Sequence, residues 1–424
     1  MDKKALKVVL LSHSDKLGGA AVVTFRLMQA LRDAGVDARM VVLLKSDEDN
    51  ENVALACHRS ERIVHFLPER LKIFLMNGFN RKDLFKVSIA SCGVSVHRHP
   101  WVKEADVVVL NWINQGLVSL SGIKSLAKLG KPLVWTMHDM WCMTGICHHA
   151  HECQGFQSWC GYCPYIKKGR HENDLSRRVW EKKEKLYRDN KIHFVAVSNW
   201  LADKCRESAL LKDQDVSVIH NAFPIDFYMT QPTAPVKDFN VDYNRNLILM
   251  GAARLDDPIK GFDMAIEAFN VMFDDYPDLA SQCTIILFGE LRDESKLKKI
   301  RIHHQYLGRV NDNKFLRQLY AWSKVVVSTS LYETLPGTLI EGQAAGCVPV
   351  SFGMGGQSDI IDHKVNGFIA DYKSPRSIAE GIAWALQNPI PREVLHRSVK
   401  ERFASESIAS QYIELFNRLL VKSK

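Results

Sequence analysis

The stretch that most limits what this chain can become is Val325–Phe352, VVVSTSLYETLPGTLIEGQAAGCVPVSF. Its β-branched run, Val325 to Val327, predicts a buried strand. A polar turn follows from Ser328 to Thr334. Pro336 suits a first helical residue, with Thr334 or Leu335 near the cap. Gly337 to Ala345 has a helical pattern, Gly346 is placed to end it, and Val348-Pro349-Val350 begins another strand. This is one strand–helix–strand unit of an α/β protein. A helix that starts on a glycine and a threonine offers open backbone N–H groups and the positive end of its dipole, which suits a phosphate. Glu333 and Glu341 bracket that start with seven residues between them. Each carboxylate can accept from adjacent hydroxyls on a ribose or hexose ring. The stretch therefore has the outline of a nucleotide-sugar site, and equally that of a surface crossover with two solvated glutamates.

At 424 residues the chain has room for two or three domains and an ample core. A formal charge of +8 excludes an acidic, solvating protein. It suits phosphorylated substrates or an anionic membrane surface and does not establish nucleic-acid binding, so no nucleic-acid partner is expected. The apolar run from Leu6 to Leu11 is too short for a signal peptide and carries Lys7, and no run is long enough to span a bilayer. The expectation is a cytoplasmic protein, peripheral on the cytoplasmic membrane face if it meets a membrane at all.

Along the chain, residues 7–12 read as a strand, Gly18-Gly19 as a turn, Val22 to Leu31 as a helix and Ala38 to Leu44 as a second strand. No G-x-G-x-x-G accompanies this βαβ start, so the dinucleotide fingerprint is missing. Between 58 and 86, Ile63, Phe66, Leu67, Leu71, Phe74, Leu75 and Phe79 recur near helical spacing. Arg59, Arg62, Arg70, Lys72, Arg81, Lys82 and Lys86 lie among them. That pattern suits a membrane interface or a pair of core-packed helices with solvated basic faces, and the second is the expectation carried forward. Residues 105–110 and 132–137 read as strands. His138 follows the second of them, at a strand's C-terminal end, where open α/β sheets place ligands.

Five of the ten cysteines fall between Cys142 and Cys163. In a reducing compartment such clustering points to metal, not to disulfides. Cys147, Cys153, Cys160 and Cys163, with gaps of five, six and two residues, outline a closed four-thiolate zinc site, with free thiols as the main alternative and a disulfide or iron–sulfur cluster after it. His148, His149, His151 and Cys142 are substitutes. Its role would be structural, pinning a polar loop.

From Asn221 to about Arg245 periodicity is lost and Pro224, Pro232 and Pro235 occur, which reads as a linker. A second βα series begins at Leu247. Arg254 and Lys260 lie on one strand-to-helix turn, a paired cationic site suited to a diphosphate. Asp256-Asp257 is read as a capping and turn pair. The domain plan is 1–222, carrying the cysteine-rich insert at 142–164, then a linker over 223–245, a second domain over 246–402, and a terminal helix over 403–424.

The E-x7-E of Glu333 and Glu341, followed by Gly346 with Val348-Pro349-Val350, then Gly355-Gly356 and Asn366-Gly367, resembles the family-4-like retaining glycosyltransferases of the GT-B fold. The resemblance implies two Rossmann-like domains facing across a cleft, with a terminal helix crossing back to the first. Arg254 and Lys260 would hold the donor diphosphate, Glu341 the nucleotide ribose, and Glu333 the transferred sugar. Backbone amides of Gly337, Thr338 and Leu339 would meet the β-phosphate, and Gly308, Arg309 and Val310 would lie against the base. Gly18 and Gly19 would form the acceptor-side glycine turn, and His138 would sit beside the reacting sugar. No catalytic metal is required, because the cations are built in. The run from His138 to Pro164 resembles a subgroup of bacterial exopolysaccharide, capsule or lipopolysaccharide assembly. The implied partners are a nucleotide-diphosphate sugar, UDP slightly preferred over GDP, and a glycan or lipid-linked acceptor. Two rivals stand beside this: a GT-B nucleotide-sugar 2-epimerase, and a non-catalytic, zinc-containing nucleic-acid or membrane adaptor.

Overall fold

The computed structural model describes residues 5–81, 83–233 and 241–422. Lys82 of the basic segment and residues 234–240 of the expected linker lie outside that range. Two compact units divide the chain. One holds residues up to Ala222 together with those from Ser405 onward, and the other holds Phe223–Ala404.

The first unit is a parallel sheet of seven strands: β1 (Lys7–Ser14), β2 (Asp37–Leu44), β3 (Val53–Leu55), β4 (Val107–Leu110), β5 (Leu133–Met137), β6 (His193–Ala196) and β7 (Val216–Val218). Their order across the sheet is β3-β2-β1-β4-β5-β6-β7. β4 and β5 are buried at every position, as expected of strands covered on both faces. The covering helices are α1 (Gly19–Asp33), α2 (Arg62–Met76), α3 (Pro100–Glu104), α4 (Leu120–Ala127), α5 (Leu175–Asp189) and α6 (Asn199–Glu207).

In the second unit the helices are α7 (Ile225–Tyr228), α8 (Phe262–Asp275), α9 (Pro277–Ser281), α10 (Asn313–Trp322), α11 (Gly337–Ala344), α12 (Pro375–Gln387) and α13 (Arg392–Phe403). The strands are β8 (Asn246–Arg254), β9 (Cys283–Glu290), β10 (His304–Tyr306), β11 (Ser323–Ser328), β12 (Val348–Phe352) and β13 (Phe368–Ala370). They run parallel in the order β10-β9-β8-β11-β12-β13. The chain ends in α14 (Ser405–Lys422), which lies on α1. Its Ile408, Tyr412 and Phe416 join the core of the first unit, and Tyr412 and Thr136 hydroxyls meet at 2.9 Å.

Four expectations change. Pro336 is the N-cap of α11 and Gly337 its first residue, one position later than the proline pattern suggests. The terminal helix starts at Ser405, not 403, because Phe403 closes α13 and is fully buried in the second unit. Part of the expected linker is not linker: Ile225 and Tyr228 of α7 are buried, and α7 packs on α11 and α13. The largest change is in α2, which among the described residues is the one α-helix of 58–86, where a pair was expected. Glu69, Arg70 and Ile73 face inward, while Ile63, Val64, Leu67, Leu71 and Leu75 face solvent. The expected core-packed apolar face is thus outside. The buried Glu69–Arg70 pair explains the reversal, because it satisfies itself and nearby backbone. Arg70 donates to Glu69 at 2.5 Å and to the Leu84 carbonyl at 2.7 Å, and Glu69 accepts from the Ile89 amide at 3.2 Å.

Candidate active site

In a sheet of this order the connections leave in opposite directions on either side of one strand pair, and a crevice opens at the C-terminal ends there. In the second unit that pair is β8 and β11. Arg254 is the last residue of β8, Lys260 lies in the turn that follows, and Glu333 lies in the loop after β11. The two loops are tied together by backbone. The Leu331 amide donates to the Ile259 carbonyl at 2.8 Å, and the Thr329 hydroxyl reaches the Lys260 and Gly261 carbonyls, each at 3.0 Å. Gly261 is required at this crossing. Its φ is +63° and a Cβ would stand 2.2 Å from the Thr329 carbonyl oxygen.

Lys260 and Glu333 form an ion pair across these loops, both partly exposed. Arg254 lies against Asp257 at 3.0 Å and Asp256 at 3.4 Å. Both aspartates also do the turn work expected of them. Asp257 accepts from the Ile259 amide at 3.2 Å, and Asp256 from the Arg292 amide at 3.0 Å. The Glu333 backbone is itself held: the Gly356 amide donates to its carbonyl at 3.0 Å. Gly355, with φ +122°, leaves no room for a Cβ, which would stand 2.1 Å from the same oxygen. The two-glycine motif thus positions the glutamate.

α11 begins four residues after Glu333, and no side chain caps its first turn. The Leu339 amide is turned back onto the Pro336 carbonyl at 3.3 Å, and the Leu339 side chain is fully buried. Gly337 and Thr338 are therefore the residues of that trio whose amides point out of the helix start. Glu341 is one turn on from Gly337, on the same helix face. Gly308 follows β10, with its carbonyl accepting from the Gly289 amide at 2.7 Å and open space at its Cα. Arg309 is exposed and paired with Glu290, whose position in β9 is level with Arg254 in β8. Val310 follows, half-buried.

In the first unit the equivalent strand pair is β1 and β4. Gly18 caps α1 with φ +92° and Gly19 opens it; no side chain caps this start, and neither glycine has a neighbour where a Cβ would stand. His138, just past β5, meets Asn111, just past β4, through Nε2 and Oδ1 at 3.1 Å. Burial lowers the His138 pKa to about 4, against the opposing pull of Asp139, so the ring is neutral at physiological pH. His13, near the end of β1, stands edge-on to Trp112 at 5.5 Å, and burial likewise lowers its pKa to about 4.

Behind His138 is a network that the sequence pattern does not reveal. Asp139 accepts from Trp112 Nε1 at 2.9 Å, His148 Nδ1 at 2.6 Å and the Trp141 amide at 2.8 Å. Burial alone would raise its pKa, but the His148 charge and these hydrogen bonds win and bring it down to about 2. Lys183 of α5, fully buried, donates to the Trp141 carbonyl at 2.5 Å and the Thr144 carbonyl at 2.9 Å. In sequence Lys183 is one lysine among several in a charged helix, and nothing in the pattern singles it out. Asp139 stands directly beside His138, and its neighbours in the motif are the signal that could have found it.

The four cysteines expected to hold zinc are unevenly placed. Cys163 is buried, Cys147 and Cys160 half-buried and Cys153 exposed, and Cys160 accepts from the Gly145 amide at 3.1 Å. The other three each push the Cys147 thiol pKa further upward, beyond what burial does. Among the described residues no three His, Cys, Asp or Glu side chains are gathered as a metal-binding group. His148 is spoken for by Asp139 and Ser88.

Two parallel doubly wound sheets, each with a crevice at the C-terminal ends where the strand order reverses, define a protein of the two-Rossmann, GT-B architecture. Family models agree: the one described as Glycosyltransferase Family 4 matches residues 17–227, and Glycosyl transferases group 1 matches residues 237–402. The chain belongs to the family-4 glycosyltransferases. An uncharacterised glycosyltransferase of Methanocaldococcus jannaschii is 32% identical over 136 residues, 30% of this chain and 35% of that one. The N-acetyl-alpha-D-glucosaminyl L-malate synthase of Bacillus anthracis is 24% identical over 249 residues, 54% of this chain and 60% of that one. The chain thus spans between 35% and 60% of the length of these curated relatives. Among solved structures, Anabaena HepE in complex with UDP and glucose superposes with a TM-score of 0.61 at 17% identity, over 97% of this chain and 99% of that one. WaaG, a glycosyltransferase involved in lipopolysaccharide biosynthesis, gives 0.60 at 13%, over 96% and 99%. At these identities the likeness carries the fold alone. Among the described residues no helix is long and apolar enough to cross a membrane.

Proposed function

We propose that this chain is a retaining glycosyltransferase. It moves a sugar from a nucleotide-diphosphate donor to a glycan or lipid-linked acceptor in exopolysaccharide, capsule or lipopolysaccharide assembly, at the cytoplasmic face of a membrane. The observation that carries this is the Lys260–Glu333 pair, set on the β8/β11 edge next to the uncapped start of α11. A diphosphate arriving there takes Lys260 as counter-ion and frees Glu333 to accept from the hydroxyls of the transferred sugar. Arg254 adds a second cation, and the Gly337 and Thr338 amides supply donors aimed along the helix axis. As the bond from the anomeric carbon to the diphosphate oxygen breaks, the electron pair and growing charge stay on the diphosphate. Cations fixed in advance stabilise that charge without reorganisation. The acceptor oxygen bonds to the same face of the sugar, and its proton passes to a donor phosphate oxygen. No protein base and no catalytic metal is needed. His138, held neutral, suits a hydrogen bond to a sugar hydroxyl better than an ion pair.

Lys260→Ala is the decisive test: kcat/KM should fall roughly 10²- to 10³-fold. Turnover close to that of the unaltered enzyme would falsify the assignment. For the donor, UDP is preferred to GDP, and the support is the presence of UDP in the Anabaena structure of the same fold. A thermal-shift panel should show UDP raising Tm more than GDP. We also propose structural zinc at Cys147, Cys153, Cys160 and Cys163. The support is their shared loop and the mutual push on the Cys147 thiol. Closure would have to draw in exposed Cys153 and release Cys160 from the Gly145 amide.

A further inference from the structure

α2 is an amphipathic helix turned the wrong way round for water. Its charged pair Glu69–Arg70 is buried, while Ile63, Val64, Leu67, Leu71 and Leu75 are 45–68% exposed. With Pro68 they form an arc of the helix surface that carries no charge. Exposed Phe79, edge-on to Phe74, extends it past the helix end, and Lys168 sits over the Phe79 ring at 4.3 Å; exposed Phe85 stacks on Phe66 beside the arc.

Lys72 borders this arc and also lines a groove of about 690 Å³ along α4 and α5. The groove wall includes Leu175, Val179 and Leu186, and Lys124, Arg178, Lys182 and Lys185 also line it. Its acids are already neutralised: Glu181 by Arg177 at 2.8 Å and Asp189 by Lys185 at 3.3 Å. Among the described residues, Lys72, Lys124, Arg178 and Lys182 have no ion-pair partner.

We infer that the α2 arc and this basic groove form one surface that docks on an anionic lipid bilayer. The aliphatic side chains enter the acyl boundary, and the four unpaired cations meet the phosphate headgroups. Charge complementarity selects this occupant. A second copy joined through a two-fold axis would bring the same cations face to face, and an apolar protein partner would leave them without counter-ions. The inference rests on the membrane-facing part of the proposed function and says which surface does the facing.

The test is co-sedimentation of the full chain with phosphatidylcholine vesicles, with and without phosphatidylglycerol. The protein should pellet with the anionic vesicles and stay in solution with the neutral ones. Leu67→Glu with Leu71→Glu, on exposed positions, should lower the bound fraction about tenfold or more, as should Lys72→Glu with Lys182→Glu. Added salt should weaken binding. Circular dichroism and Tm confirm that the variants are folded. The inference is overturned if the unaltered chain ignores anionic vesicles, or if the leucine variant binds as well as it does. It is equally overturned if the chain sediments in solution as a dimer that the leucine variant dissolves. Sugar transfer to a water-soluble acceptor should be the same in all these variants. Vesicle binding without any transfer would sink the enzyme reading and leave the docking surface standing.

Discussion

The two sheets share a strand order yet present opposite chemistry at the same topological place. On the β8/β11 edge the candidate groups are charged: Arg254, Lys260 and Glu333, each in an ion pair and partly open to solvent. On the β1/β4 edge and the neighbouring end of β5 the candidate rings are neutral: His13 and His138 are held unprotonated by burial, beside Asn111 and Trp112, with the Asp139 carboxylate behind them. A crevice in this fold is a place, not a chemistry. The second unit sets charged side chains at that place, and the first sets neutral rings there.

The sharpest way to break this contrast is to invert the charge on one side only. Lys260→Glu should abolish transfer, with a loss of at least about 10³-fold in kcat/KM. Arg301→Glu, exposed and paired with Asp274 at the end of α8 farthest from Lys260, should change it by less than about tenfold. Equal losses from both would show that general positive potential, not the Lys260 position, matters. Next in size are backbone and buried-charge changes. Gly355→Ala forces a Cβ onto the Glu333 carbonyl and should cost about 2–4 kcal/mol of stability or an equivalent loss of turnover, read by denaturant unfolding and kinetics. Lys183→Met on the first unit leaves two buried carbonyls unpaired and should cost about 2–3 kcal/mol while leaving nucleoside-diphosphate binding intact.

The pH response separates the two edges further. The folded pKa values of His13 and His138, about 4, lie below the usual 6.5. Between these values the unfolded chain binds more protons, so stability is full above about pH 6.5 and is lost as pH falls toward 4. Up to about 3 kcal/mol per histidine is at stake, and His138→Asn should flatten the curve measured by urea unfolding. The smallest effect concerns metal. Chelator should leave kcat unchanged, while metal analysis under reducing conditions should find zinc near one per chain. Its absence would remove the zinc proposal and leave Lys183 and Asp139 as what holds the loop.

Much of the second unit was legible because its signals are local. The run Val325–Val327, the helix from Gly337 and the stop at Gly346 lie within one turn or one strand of the residues they govern, so periodicity and cap chemistry suffice. The same holds for Asp256 and Asp257 as turn residues. What was illegible depended on partners far away in the chain. Gly261 needs the Thr329 carbonyl, Gly355 needs Glu333, and Lys183 needs the carbonyls of Trp141 and Thr144. The cysteine spacing suggested a metal set, but spacing says nothing about which thiols the loop brings together.

α2 states the limit most clearly. Residue order alone gives 58–86 a helical, amphipathic pattern, because both properties follow from the spacing of side chains along a helix; that it forms one helix over 62–76 is settled by the fold. Which face turns inward is settled only by the packed fold. Carbonyls and amides from 84–91 close around Glu69 and Arg70, satisfying a charged pair that no local rule would bury, and the leucines are left outside.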